Sequence, residues 1–257
     1  MGLAMDRTML ALACVFVALA GIAGARSVLH GQRSRLTIVL MACAFGCQLW
    51  ALTVRGQMRG QCPLMDAGEI LLFLAWSQTL FYLITGAAFR LSLLGLFSTP
   101  LILLAQIVAL IPGVMEKSPE RVAATDYWGE LHMAISVMSY GALALSAVAG
   151  VMAIVLDKKI KTGDADSLLA TLPSIANLHA SVGRLALIGW TVLTAGIVAG
   201  TVMETTGGQA HLVVASAVWA LYGALIALNY WRGIPPHQMA LGSITLFTLS
   251  LGVFAVL

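Results

Sequence analysis

The chain has 257 residues, of which 60% are hydrophobic and 10% charged, against roughly 45–50% apolar and about 25% charged in a soluble domain. That composition excludes a water-soluble fold, which would need polar faces over most of its helices, and indicates a polytopic membrane protein. A net charge of +3 with no basic run excludes a nucleic-acid-binding surface.

Eight segments are long and apolar enough to cross about 30 Å of hydrocarbon as helices of roughly twenty residues, which predicts an all-α transmembrane bundle forming one domain. The first, 8–25, follows Arg7 and ends in Ala23, Gly24 and Ala25, a pattern that also suits signal-peptide cleavage. It is expected to stay as a span, because further hydrophobic segments follow and Arg26, Arg33 and Arg35 anchor its end. The second, 36–54, carries Cys43 and Cys47 on one face. With Cys14 and Cys62 they make no CxxC or CxxCH pattern, so they read as small packing residues.

The third span, 67–88, draws one acid, Glu69, into its start, where the helix dipole favours a carboxylate. Arg55, Arg59 and Arg121 share its side of the membrane and are candidates to pair with it. After the fourth span, 91–112, the loop 113–130 holds Pro119 and the aromatic pair Tyr127 and Trp128, suited to an interfacial belt.

In the fifth span, 131–156, His132, Ser136, Ser139 and Tyr140 fall at i, i+4, i+7 and i+8, one polar stripe on an apolar rod. Such a stripe is costly against lipid and must face other helices or a cavity. The stretch that follows, 157–177, is expected to hold a short interfacial helix broken at Pro173. The sixth span, 178–203, places Gly196 and Gly200 in a GxxxG spacing, which serves either packing within the bundle or dimerisation. His211 opens the seventh, 211–230, with Ser216 and Trp219 along it, and the eighth is 238–257.

With the first hairpin loop in the cytoplasm and sides alternating, nine of the 14 Lys and Arg residues fall on the cytoplasmic side. The positive-inside rule then puts both termini outside. His132 and His211 lie near the outer surface on different helices. Two imidazoles from separate helices can reach one metal from opposite sides, the geometry of a bis-histidine haem. A histidine at a membrane interface also serves simply as an amphipathic residue of the headgroup layer, and spacing alone leaves both readings open. For a non-covalent b-type haem, Ser139, Tyr140 and Trp128 are the nearby polar and aromatic candidates, and Arg55, Arg59 and Arg121 the candidates for its propionates. His30, His237 and His179 are weaker candidates, the last at the opposite, cytoplasmic end of its span. No HExxH, GxSxG or P-loop supports a zinc hydrolase, a serine hydrolase or an ATPase, and no catalytic residue is identified.

The order of these features resembles the cytochrome c assembly membrane proteins, the haem-handling family that includes CcsA and CcmC, and within it the short eight-span branch of the YpjD and HemX type. Pro63, Leu64, Glu69, Phe73, Leu74 and Trp76 match its Pro-Leu, acid, Phe-Leu-x-Trp segment, and Leu131, His132, Ser139 and Tyr140 its Leu-His followed by Ser-Tyr. Leu172, Pro173, Arg184, Gly189, Thr194, Gly196 and Gly200 match a third segment, and the resemblance extends over about residues 36–257. The chain departs from full members in two places. The loop Met203–Ala210 has no tryptophan where they carry a tryptophan-rich motif, and His179 stands where CcsA-like members often have aspartate.

The resemblance implies a multi-pass protein of the bacterial plasma membrane that binds or passes haem near the outer face. His132 and His211 would be its ligands, and cytochrome c maturation or tetrapyrrole-pathway proteins its partners. A different class is also implied, a regulatory or scaffolding subunit of the HemX kind that acts through partner proteins without haem. A third class, a secondary transporter, finds little support, because the sequence shows no pair of Gly/Pro-interrupted spans related as repeats.

Overall fold

The computed structural model describes residues 2–30, 35–89, 92–115, 127–162, 175–202 and 210–252. Among them are eight α-helices and no strand: α1 (Gly2–Leu29), α2 (Arg35–Arg59), α3 (Ala67–Phe89), α4 (Ser92–Leu110), α5 (Tyr127–Lys161), α6 (Ile175–Val202), α7 (Ala210–Arg232) and α8 (Pro236–Ser250). Each answers to one expected span. Six are long and apolar enough to cross a membrane; α4 adds a shorter apolar stretch, Leu94–Leu110, and α8 has 15 residues. At 35 residues α5 is about 52 Å long at roughly 1.5 Å per residue, well beyond about 30 Å of hydrocarbon. The interfacial helix expected around Pro173, the loop 203–209 and Arg121 lie outside the described residues.

The helices fall into two compact units, α1–α4 and α5–α8. In the first, α1 and α3 each pack against α2 and α4. The buried face of α2 is Thr37, Met41, Ala44, Gln48, Ala51, Leu52, Arg55 and Arg59. Its spacing of three and four is the seam of a helix packed at a shallow angle. The opposite face exposes Leu36, Ile38, Val39, Leu49 and Trp50, as a lipid-facing surface requires. Within α4, Pro100 has no N–H to give the carbonyl of Leu96. The hydroxyl of Thr99 donates to that carbonyl at 3.2 Å instead, which keeps the acceptor satisfied.

In the second unit α5 is the spine, packed on α6 and α8, and α7 is packed on the same two helices. From Ser139 to Gly150 every residue of α5 is buried. Small residues allow this: Ala142, Ala144, Ala147, Ala149 and Gly150 let neighbouring backbones close in. A Cβ on Gly150 would stand 3.0 Å from the carbonyl oxygen of Ala240 in α8.

The α5–α6 pair runs antiparallel along its whole length. A Cβ on Gly196 would lie 2.7 Å from Ser136 Oγ and 3.2 Å from its backbone nitrogen, and one on Gly189 would lie 2.5 Å from Leu143 Cδ2. Further along, Ser146 Oγ donates to the carbonyl of Val182 at 2.9 Å. Gly196 of the GxxxG spacing therefore serves contact within the unit.

Candidate functional site

Two clusters gather the residues singled out in the sequence, one in each unit. In the first unit α3 starts with a reciprocal cap: Asp66 Oδ1 accepts from the backbone N–H of Glu69 at 2.7 Å, and Glu69 Oε2 accepts from that of Met65 at 3.0 Å. The cap holds both carboxylates beside the last turns of α2. Arg55 Nε donates to Glu69 Oε1 at 2.9 Å, its Nη2 to Asp66 Oδ2 at 2.9 Å, and its Nη1 to Asp6 Oδ2 at 3.1 Å. Arg59 adds bonds to Glu69 Oε1 at 3.0 Å and Asp66 Oδ2 at 3.1 Å. The side chains of Arg55 and Glu69 are fully buried, and that of Asp6 is 2% exposed. Beside the cluster, Arg7 donates to the carbonyl of Met115, tying the start of α1 to the turn after α4.

Of the two roles expected for Arg55 and Arg59, pairing with Glu69 is the one seen. Binding a propionate would require opening these bonds. Asp6 and Asp66 were not anticipated as partners; the available signal was an acid next to the start of the first span and another three residues before Glu69.

In the second unit His132 is 7% exposed, and its Nδ1 lies 2.7 Å from the carbonyl oxygen of Gly196. A carbonyl only accepts, so Nδ1 carries the proton and donates; in the Nδ1–H tautomer the lone pair is on Nε2. The contact is possible because Gly196 has no side chain to hold α5 away. Ser139 is fully buried and its hydroxyl donates to the carbonyl of Ser136 at 2.6 Å, while Tyr140 is 3% exposed. The polar stripe thus faces protein, as its cost against lipid demands. Trp128, 45% exposed, stands edge-on to Tyr127 with ring centroids 6.2 Å apart at the start of α5.

His211 lies in the first turn of α7; its side chain is outside the described residues. Its depth follows from the antiparallel α6–α7 pair. Trp190 stacks on Trp219 with centroids 5.4 Å apart, and Gly183 lies against Asn229. On that register the His211 backbone is level with the last turn of α6. His132 is level with Gly196, so the two histidines sit at one end of the unit, within about 8 Å of each other along the helix axes at roughly 1.5 Å per residue. The stacked indoles fix this register: Trp190 Nε1 donates to the carbonyl of Trp219 at 2.9 Å, and Trp219 Nε1 to Thr194 Oγ1 at 2.8 Å. Among the described residues no group of three or more His, Cys, Asp or Glu side chains forms a metal cluster.

These features define a polytopic helical membrane protein that presents a buried, tautomerically fixed imidazole at one end of a helix unit. The family model for cytochrome C assembly proteins matches residues 64–257, and the chain belongs to that family. It is 29% identical over 220 residues to the cytochrome c biogenesis protein CcsA of Chlamydomonas reinhardtii, covering 79% of this chain and 61% of that protein. Against CcsA of Pyropia yezoensis the identity is 26% over 250 residues, covering 79% and 78%. Protein HemX of Brevibacillus brevis is 24% identical over 172 residues, covering 66% and 62%. The chain thus spans about three-fifths of the algal CcsA from Chlamydomonas and of HemX. Glu69, His132 and His211 fall inside the matched region; Asp6, Arg55 and Arg59 precede it.

Proposed function

We propose that the protein handles haem for cytochrome c assembly, binding it non-covalently at the end of the second unit that carries His132 and His211. The observation that carries this reading is the bond from His132 Nδ1 to Gly196. A metal-ligating histidine characteristically donates its other ring N–H to a carbonyl or carboxylate, which fixes the ring and raises the basicity of the ligating nitrogen. His132 has that arrangement, and its Nε2 would be the atom that holds the haem iron. His211 is the second ligand in this proposal, and Trp128 a flank for the ring. When bound, the haem supplies an iron of tunable potential; the chain holds, orients and releases it. The location is a plasma membrane with both termini outside, and the partners are cytochrome c maturation proteins.

The test is optical. Protein purified in mild detergent and given haemin is expected to develop a low-spin Soret band that is lost in His132→Ala plus His211→Ala and partly restored by added imidazole. An unchanged band in the double variant would remove both ligands from the proposal. A second reading, a scaffolding subunit working through tetrapyrrole-pathway partners, is favoured by the absence of tryptophan from Met203–Ala210 and by the likeness to HemX. It predicts that a partner co-purifies equally well with the double variant.

A further inference from the structure

The second unit has a feature at its other end that the haem reading does not use. A recess of about 290 Å³ opens between α6, α7 and the start of α8, lined by His179, Gly183, Arg184, Asn229, Pro236 and Met239 among others. His179 lies 3.5 Å from Asp157 through Nε2, and its Nδ1 is buried with no hydrogen-bonding partner among the described residues. Beside it, Gly183 offers no side chain where Asn229 Nδ2 approaches. A buried ring nitrogen left unsatisfied beside such a recess is costly, and a ligand atom there relieves the cost.

The charge around the recess says which ligand. Every Lys and Arg among the described residues of this unit lies at this end: Lys158, Lys159 and Lys161 on α5, Arg184 on α6 and Arg232 on α7, with Asp157 the one acid beside them. The rim carries Tyr230, 62% exposed, and Trp231, 86% exposed, follows it in the sequence, an outward aromatic pair of the kind that suits a membrane–water interface. The floor is apolar, with Met239 3% exposed.

We propose that this recess binds a phosphate oxyanion, with Asn229 Nδ2, the Arg184 guanidinium and the Nδ1–H of His179 as donors and Asp157 facing the Nε2 edge of the ring. Basic pockets between helices on the cytoplasmic side of a membrane take anionic headgroups, and a polar mouth over an apolar floor beside an aromatic rim suits a phospholipid. Free inorganic phosphate presents the same oxygens without the chains.

Delipidated protein in detergent is titrated with phosphatidylglycerol, phosphatidylcholine or inorganic phosphate, and binding is read by native mass spectrometry and by the shift in unfolding temperature. Phosphatidylglycerol is expected to bind at least tenfold more tightly than phosphatidylcholine, and His179→Leu and Asn229→Leu are each expected to weaken it by about that factor. Near-ultraviolet dichroism of the Trp190–Trp219 stack reports whether each variant stays folded; the two variants sit on different helices, so one can stand in for the other. Competition by millimolar inorganic phosphate supports the oxyanion site with a free anion as its natural occupant. Equal binding of the two lipids, or phosphatidylglycerol binding unchanged in a folded variant, overturns the proposal. The haem spectrum is unaffected in either case, so this test and that of the haem site fail independently.

Discussion

Replacing Arg55 by methionine removes, among the described residues, the cation that touches all three carboxylates of the cluster, Asp6, Asp66 and Glu69. Its guanidinium is fully buried and within 2.8–3.1 Å of Asp6, Asp66 and Glu69. Without it Arg59 keeps its pairs with Asp66 and Glu69, and Asp6, 2% exposed, loses this ion pair from α2. Breaking a buried ion pair by removing one partner costs about 3–5 kcal/mol, because the remaining charge stays out of water. At about 2–4 °C per kcal/mol for a chain of this size, the unfolding midpoint in detergent is expected to fall by roughly 6–20 °C. Removing a carboxylate as well should restore part of the loss, so Arg55→Met with Glu69→Leu is expected to be more stable than the two separate losses combined. Thermal unfolding followed by tryptophan fluorescence measures all four proteins. A drop of under 2 °C for Arg55→Met, or strict additivity in the double variant, would refute the view that this cluster ties α1, α2 and α3 together.

A methyl group at Gly196 would meet Ser136 at 2.7 Å. Gly196→Ala is therefore expected to push α5 from α6 and cost about 1–3 kcal/mol by overpacking; an unchanged midpoint would show the helices free to adjust. Thr194→Val leaves the half-buried N–H of Trp219 without its acceptor. The expected cost is about 1–3 kcal/mol, with a change in the near-ultraviolet signal of the indole pair, and a neutral result would mean that stacking alone sets the α6–α7 register. The orientation inferred from basic residues predicts that a single cysteine at Gly233, in a chain otherwise without cysteine, reacts with an impermeant thiol reagent only from the cytoplasmic side. Labelling from outside in intact cells would invert the topology.

Much of this protein was legible in its sequence because hydrocarbon is an unforgiving solvent. Backbone groups in a bilayer must be satisfied within a helix, so apolar length alone yielded eight helices at near-correct positions. The cost of polar groups against lipid likewise told that the stripe from His132 to Tyr140 faces protein, and that Glu69 would seek an arginine. The ends of α5 were less legible: Tyr127 to Glu130 and Asp157 to Lys161 are polar enough to read as loop, yet they continue the helix beyond the apolar core.

What only the tertiary structure decided is who meets whom. Hydrophobic burial is non-directional, so composition says that a buried charge needs a partner without saying which; the fold chose Asp6, some fifty residues before Arg55 in sequence, and added Asp66 through a helix cap. The same holds for His132, whose proton is placed on Nδ1 by a carbonyl sixty-four residues away and reachable only because the residue there is glycine. Sequence periodicity fixes the face on which a side chain stands, whereas the axial register between two helices is set by where small residues let them touch, and that register brings His132 and His211 to one end of their unit and His179 to the other.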